Sequence, residues 1–229
     1  MSVASTKLGR RRPRYRRRRP LPALIVLGLL VVLSAYVWTT VFDSVPTTEA
    51  ATRCNTPTAP KNAPGQPAPN VGTMLPHNGL DQSPLVPPQS VGVRVLNGNG
   101  ESRQAGLVSD ELTSMGFARG PEATNDPTYH NYDLNCHGQI RFGDAGAGAA
   151  HTLSLMAPCS QLVRDEREDQ SVDWALGTKF DDIQTTPEAK QALQQLKNWN
   201  AKTTQGDSTQ DEPPRVDPKL LSQARDANC

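Results

Sequence analysis

The stretch Val93-Arg94-Val95-Leu96-Asn97-Gly98-Asn99-Gly100 decides the fold of this chain. Valines at every second position are typical of a half-buried strand, because successive side chains of a strand point to opposite faces. The Asn-Gly-Asn-Gly sequence that follows is rich in residues that tolerate positive φ, so it predicts a tight turn. A compact domain is therefore expected to open with a strand near residue 93 and a turn after residue 96.

A helix is predicted directly after this turn. Ala105, Val108, Leu112 and Met115 recur at spacings of three and four residues, which places them on one helical face. A glycine stands where a left-handed C-cap belongs, and Phe117 just beyond it is positioned to fold back onto the last turn.

Short apolar runs predict the other elements of the domain. Strands are expected over residues 140–142, 161–165 and 172–176, the last with Trp174 in the core, and a helix of small residues over 145–157. The order predicts an α+β fold, a small sandwich of one β-sheet and two helices (βαβαββ) within residues 90–185. About 95 residues suffice for one core but not for two.

The N-terminal region predicts a single transmembrane helix. Nine cations and no acid stand in the arginine-rich tail 1–20, and the 22 residues from 21 to 42 are uncharged. As a helix they measure about 33 Å, enough to span the hydrocarbon core. Cationic flanks stay cytoplasmic, so the later residues are expected outside the cell. A cleaved signal peptide is the alternative, but its apolar region is shorter, and Tyr36 and Trp38 suit a membrane interface.

The overall charge of +1 hides an asymmetry. Fifteen of the 24 basic residues follow the predicted span, together with all 23 acids, so the outer part carries about −8. Such a charge argues against binding of nucleic acid through bulk electrostatics. The arginine run therefore serves topology and attraction to anionic lipids.

Two stretches flank the predicted domain. Residues 43–89 hold ten prolines and almost no apolar periodicity, which predicts an extended, solvated extracytoplasmic spacer. Residues 186–229 predict a helical tail with a loop: a first helix opened by Thr186-Pro187, a polar stretch, and a short final helix over 218–227.

All four cysteines, Cys54, Cys136, Cys159 and Cys229, follow the predicted span. An even number in an oxidising compartment predicts two disulfides, with three arrangements open. The economical arrangement joins Cys136 to Cys159 inside the domain and Cys54 to Cys229 at its ends. A metal site is the alternative, but no Cys-x-x-Cys or His-x-x-x-His spacing supports it.

Strand, turn, helix and cap, in this order, resemble the opening motif of the LytR C-terminal domain family. The residues that carry the resemblance are Val93 to Gly100, Ala105-Gly106-Leu107, Leu112 and Gly116-Phe117, and Val108 stands where the family often has alanine. The resemblance implies an extracytoplasmic role in the cell envelope. It does not imply catalysis, because the chain has no room for the large LytR-CpsA-Psr domain that transfers glycopolymers.

Two kinds of contact site are candidates. Asn97, Gly98, Asn99 and Gly100 at a helix start, with Arg103 nearby, could bind an anion through free amides, although tight-turn geometry alone also explains the glycines. Arg103 stands where a third glycine of a dinucleotide motif belongs, and no P-loop Lys-Ser or Lys-Thr follows. Trp199 on the tail helix is a candidate for an exposed partner contact.

No catalytic residue, metal or cofactor is expected. The residues His130, His137 and His151 have no serine or carboxylate in a triad pattern, so loop or surface positions are expected for them. Together with the resemblance, this favours a membrane-anchored, non-catalytic protein on the outer side of the membrane that contributes to envelope integrity by binding envelope partners. The alternative is a glycan-binding module for peptidoglycan or arabinogalactan, similar to the septal SPOR domain.

Overall fold

The computed structural model describes residues 25–36, 50–61, 63, 65–204, 215–227 and 229. The chain divides into two units, Met1–Val45 and Pro46–Cys229. Residues 25–36 of the first unit are helical. Among the helices of the described residues, none combines the length and the apolar character that a membrane crossing needs. The predicted span at 21–42 extends beyond the described residues on both sides.

The second unit is built on one mixed sheet of six strands. They are β1 (Thr73–Leu75), β2 (Val93–Asn97), β3 (Thr124–Asn125), β4 (Gly138–Phe142), β5 (Ser160–Arg164) and β6 (Val172–Leu176), in the spatial order β1-β5-β4-β6-β2-β3. β4 and β5, β2 and β6, and β2 and β3 run parallel; β1 with β5 and β4 with β6 run antiparallel. The strands expected from the sequence are present, and β1 and β3 form the two edges.

Among the described residues of the second unit, four helices of seven or more residues accompany this sheet: α1 (Gln104–Ser114), α2 (Ala147–Ser154), α3 (Pro187–Thr204) and α4 (Pro218–Ala224). α1 ends as predicted, since Gly116 has φ 96° and the Phe117 amide donates to the Leu112 carbonyl at 3.0 Å. The two helices expected within residues 90–185 are present as α1 and α2, but the tail helices α3 and α4, expected outside the domain, pack into its core. Buried residues of α3 and α4 join the same core: Ala189, Ala192, Leu193, Leu196 and Ala224.

The two faces of the sheet have different neighbours. The first face packs against the helices and contributes Val93, Val95, Ile140, Phe142, Leu162, Val172, Trp174 and Leu176. Trp174 is buried there as predicted, and its Nε1 donates to the Ser160 Oγ at 2.9 Å. On the second face, Leu96, Val163 and Ala175 pack with Tyr129, Leu134, Cys54 and Cys136. Alternation along each strand therefore supplies both clusters.

Residues predicted as a solvated spacer contribute to the fold. Met74 in β1 lies opposite Val163 of β5, and Leu80 and Leu85 are buried in the main core. Prolines confine this segment to an edge strand and turns, including the 3-10 turn Pro88–Ser90, but they do not exclude it from the domain.

The cysteines form two disulfides, Cys54–Cys136 and Cys159–Cys229, with Cα–Cα distances of 4.9 and 5.4 Å. Disulfide formation by all four cysteines was predicted correctly, and the expected pairing of Cys136 with Cys159 is wrong. The reason is that Cys136 and Cys159 are buried on opposite faces of the sheet. Cys136 lies in the second-face cluster, whereas Cys159 borders a small cavity with Met156 and Trp174 of the first face.

His151 is buried on α2, which contradicts the expectation of a loop or surface position. Its Nδ1 lies 2.8 Å from the Ser83 carbonyl oxygen, so Nδ1 carries the proton and donates. Its Nε2 has no hydrogen-bond partner among the described residues. Burial lowers the pKa of His151, assisted by the charge of Arg225 and opposed by the Ser83 contact and by Asp81.

This histidine predicts a pH dependence of folding. Below the ordinary pKa of about 6.5 the unfolded chain binds a proton that the folded state resists, so stability falls with falling pH until the lowered folded pKa is passed. In a His151→Gln variant this contribution is expected to vanish. Urea unfolding of parent and variant at pH 7.5 and 5.0 measures the difference. Equal losses of stability in the two proteins would contradict it.

Candidate functional site

An open cleft of about 1010 Å³ lies between the N-terminal half of α1 and residues 119–125, beside the edge strand β3. Asn97, the last residue of β2, also lines it. Its Nδ2 lies 3.1 Å from the Glu101 carbonyl oxygen and 3.5 Å from the Asn125 Oδ1, so it connects the turn before α1 with β3. The cleft is therefore formed by the very motif that opens the domain.

One helical face of α1 forms the first wall. Arg103, Gly106, Leu107 and Asp110 line the cleft at spacings of three and four residues, whereas the buried Val108 and Leu112 do not line it. Leu107 is 69% exposed, which is high for a leucine in a folded domain. Of this wall only Arg103 was predicted from the sequence, although Leu107 falls outside the apolar periodicity and could have indicated an exposed face.

The second wall is the chain that leads into β3. Arg119, Glu122, Thr124 and Asn125 contribute its polar side chains, and both residues of β3 are exposed. Together the walls present two arginines, Arg103 and Arg119, and two acids, Asp110 and Glu122. Within the described part of the chain these four form no salt bridge with one another, so charges of both signs are available to a ligand.

In the turn predicted as an anion site, the backbone amides are already hydrogen-bonded within the protein. Each donates to an acceptor within the protein: Gly98 N to Leu176 O at 3.0 Å, Asn99 N and Gly100 N to Asn97 Oδ1 at 3.3 and 2.7 Å, and Glu101 N to Asn99 Oδ1 at 2.9 Å. This pattern supports turn geometry as the reason for the glycines. Arg103 lines the cleft from a left-handed conformation, with φ 64°.

Replacing Gly100 by valine is expected to destabilise the fold by about 1 to 3 kcal/mol, because a β-branched residue tolerates positive φ poorly. Gly100 has φ 83°, and an added Cβ would lie 3.2 Å from the Tyr132 Cβ. Urea unfolding measures the loss. The matched control is Gly106→Ala in α1, which is expected to be neutral or stabilising by up to about 1 kcal/mol. Equal stability of Gly100→Val and the parent would contradict the turn geometry.

The structure does not bring the candidate contacts together. Asn97 and Arg103 line the cleft, whereas Gly98, Asn99 and Gly100 are not among its lining residues. Trp199 lies on α3, half-buried, and does not line the cleft either. Among the described residues, no group of three His, Cys, Asp or Glu side chains converges on a metal-sized space.

A buried ion pair fixes the wall of the cleft to the centre of the sheet. Asp126, directly after β3, accepts from Arg141 of β4 at 2.6 and 2.8 Å, and the two side chains are 0% and 5% exposed. Arg141 also donates to the Gln139 Oε1 at 2.7 Å. The Asp126 amide donates to the Asn97 carbonyl at 2.9 Å. Asp126 therefore links the end of β3 to β2 through its backbone and to β4 through its side chain.

A second charged cluster lies on the same face of the sheet. Asp173 of β6 accepts from Arg94 of β2 at 2.8 and 2.7 Å and from Arg167 at 3.0 Å. Burial raises the pKa of Asp173, but the hydrogen bonds from both arginines outweigh it and hold that pKa below its ordinary value. Their mutual pairing indicates a structural role in joining β2 to β6.

Comparison with known proteins gives three results. Residues 90–180 match the family described as "LytR cell envelope-related transcriptional attenuator". The chain is 40% identical over 166 residues to the cell envelope integrity protein Cei of Mycobacterium tuberculosis, covering 72% of this chain and 75% of that protein. A crystal structure of the soluble domain of a conserved hypothetical secreted protein from Mycobacterium marinum aligns with a TM-score of 0.60 and 32% identity, over 70% of this chain and all of that domain.

Proposed function

Because the chain belongs to the family of the cell envelope integrity protein Cei and carries a LytR C-terminal domain, we propose that it is a membrane-anchored, non-catalytic protein that supports envelope integrity by binding envelope partners. The observation that carries the proposal is the open cleft between α1 and β3. Its lining includes two arginines, two carboxylates, amides, hydroxyls and the exposed Leu107. Charges of both signs beside an exposed apolar side chain suit recognition of a partner.

Two features support an extracytoplasmic position for the domain. Nine N-terminal cations precede an uncharged apolar stretch, which orients a span with its N-terminus in the cytoplasm. All four cysteines are joined in disulfides, which persist in oxidising compartments. The named relative from Mycobacterium marinum is itself described as secreted.

Reporter fusions test this topology. Alkaline phosphatase, which folds only outside the cytoplasm, is expected to be active when it is fused after Phe42, directly after the predicted span, or at the C-terminus of the full chain. Fusion to a cytoplasmic reporter at the same points is the control. A stable but inactive phosphatase fusion would overturn the orientation.

Complementation tests the envelope role. In a strain that lacks the gene, the full chain is expected to restore resistance to detergent and to large antibiotics. A version without residues 1–42, retained in the cytoplasm, is expected to fail. Rescue by the cytoplasmic version, or absence of any envelope defect in the deletion strain, would contradict the proposal.

Glycan binding is the second candidate, and one observation favours it. Amide and hydroxyl side chains of Asn97, Ser109, Thr124 and Asn125 line the cleft, and such groups pair with sugar hydroxyls. Co-sedimentation of the detergent-solubilised full chain with purified peptidoglycan and arabinogalactan separates the two candidates. Retention on either polymer supports the glycan candidate, and recovery in the supernatant supports a protein partner.

A further inference from the structure

No close neighbour explains why position 106 of α1 is a glycine. A glycine destabilises a helix interior relative to alanine, and it is usually explained by a close neighbour. Here an added Cβ would meet nothing within 4 Å, and the φ of Gly106 is not in the left-handed region. The open space above Gly106 belongs to the cleft. No contact within the described part of the domain explains this glycine, and the space that it leaves is open to a ligand.

The opposite wall is the free edge of a sheet. β3 is the last strand in the sheet order and pairs only with β2 among the described strands. The Asp126 amide points to the Asn97 carbonyl of β2. Since backbone groups alternate in direction along an extended strand, the amides and carbonyls of Ala123 and Asn125 point away from β2.

The charges of the cleft select among classes of ligand. Arg103 and Arg119 would attract anions, while Asp110 and Glu122 would repel a uniformly anionic polymer. Leu107 adds an apolar contact between them, and the lining contains no aromatic ring on which a sugar could stack. A chain that carries both charges, apolar side chains and a hydrogen-bonding backbone matches all three features.

We propose that the cleft binds an extended segment of a partner polypeptide, which pairs with β3 as an added strand and passes over Gly106 beside Leu107. The added strand would take the outward backbone groups of Ala123 and Asn125, and its side chains would meet the charged residues of both walls. This inference rests on the proposed function, because it specifies the class of partner that the same cleft recognises.

Photo-cross-linking in cells tests the site in the full chain. p-Benzoylphenylalanine is placed at Leu107 inside the cleft or at Ser114, an exposed α1 position outside it. We expect a polypeptide adduct at the first position and none at the second. A carbohydrate adduct, recognised by its sensitivity to glycan hydrolases, or equal adducts at both positions would overturn the proposal.

Paired variants locate the contact. Gly106→Trp fills the space above the helix and Ala123→Pro removes one outward amide, so each is expected to reduce the adduct at least about tenfold if strand addition supplies the binding. Ala123→Val keeps the amide and is expected to retain the adduct, whereas Gly106→Ala adds a Cβ in the open space and is expected to reduce the adduct less than Gly106→Trp does. An adduct of unchanged yield in both disruptive variants would overturn the proposal.

Hydrogen exchange gives a readout that does not depend on those variants. The cross-linked segment is synthesised as a free peptide and added to the unmodified full chain in detergent. The amides of Ala123 and Asn125 are expected to exchange more slowly in the complex, and a complex that leaves both rates unchanged would overturn strand addition. Complementation by the full chain would persist in that case, so failure of this inference is distinguishable from failure of the proposed function.

Discussion

Replacing Asp126 by alanine is expected to lower the free energy of unfolding by about 3 to 5 kcal/mol, because the change leaves the Arg141 guanidinium buried without its counter-charge. The pair is almost inaccessible to water, with side chains that are 0% and 5% exposed. Arg141 keeps Gln139 and Thr128 as partners, but neither carries a negative charge. Urea unfolding of the full chain in detergent measures the loss.

Two controls define the cause. Asp144→Ala removes the exposed pair with Arg164 and is expected to cost no more than about 1 kcal/mol. The double variant Asp126→Leu with Arg141→Met replaces both charges by apolar groups and should recover most of the loss, since replacing both partners removes the buried charge. A small loss in Asp126→Ala, similar to that of Asp144→Ala, would show that the pair is not needed.

Opening the Cys54–Cys136 disulfide by replacing both cysteines with serine is expected to destabilise the domain by about 2 to 5 kcal/mol. The bond closes a loop with a sequence separation of 82, so much of the effect comes from the larger freedom of the unfolded chain. The matched variant, Cys159→Ser with Cys229→Ser, opens a loop of separation 70 and is expected to lose a similar amount.

Peptide mapping of the unreduced protein checks the pairing itself. The parent is expected to yield linked peptides for Cys54 with Cys136 and for Cys159 with Cys229, and no free thiol. The single variant Cys136→Ser should free Cys54 alone. A peptide that links Cys136 to Cys159 would contradict the structure and restore the arrangement expected from the sequence.

Local patterns were enough to predict the opening of the domain. The β2 strand, the turn, α1 and its Gly116 cap are determined by residues close in the chain, whose alternation, φ preferences and helical spacing can be read directly. The membership of α3 in the core could not be read in this way. Its apolar face is visible in Leu193 and Leu196, but only the tertiary structure shows what covers it.

Long-range pairing accounts for the misinterpreted segments. β1 has three residues and depends on β5, about ninety positions later, for its hydrogen bonds. The disulfide partners depend in the same way on which face of the sheet each cysteine reaches.

Only part of the lining of the cleft could be predicted from the sequence. Asn97 and Arg103 were predicted as part of an anion site built on the turn amides. Two of these amides instead donate to the Asn97 Oδ1, so they are not free to bind an anion. Gly106 appeared as part of a family motif, but the open space above it is a property of the fold. Residues 119–125 carry no motif, so their place opposite α1 could not be anticipated.

The disulfide arrangement also determines how the domain would respond to mechanical force. A load that enters at Cys54 passes through its disulfide into Cys136, and a load at Cys229 passes into Cys159. With both bonds intact, stretching between the ends can extend only residues 137–158, about 80 Å of contour at about 3.5 Å per residue. α1 and β3 lie within the loop closed by Cys54 and Cys136, off the path of the load. Arg141, the partner of Asp126 beside β3, lies within the loaded residues 137–158, so extension of that segment would release the wall of the cleft from the sheet.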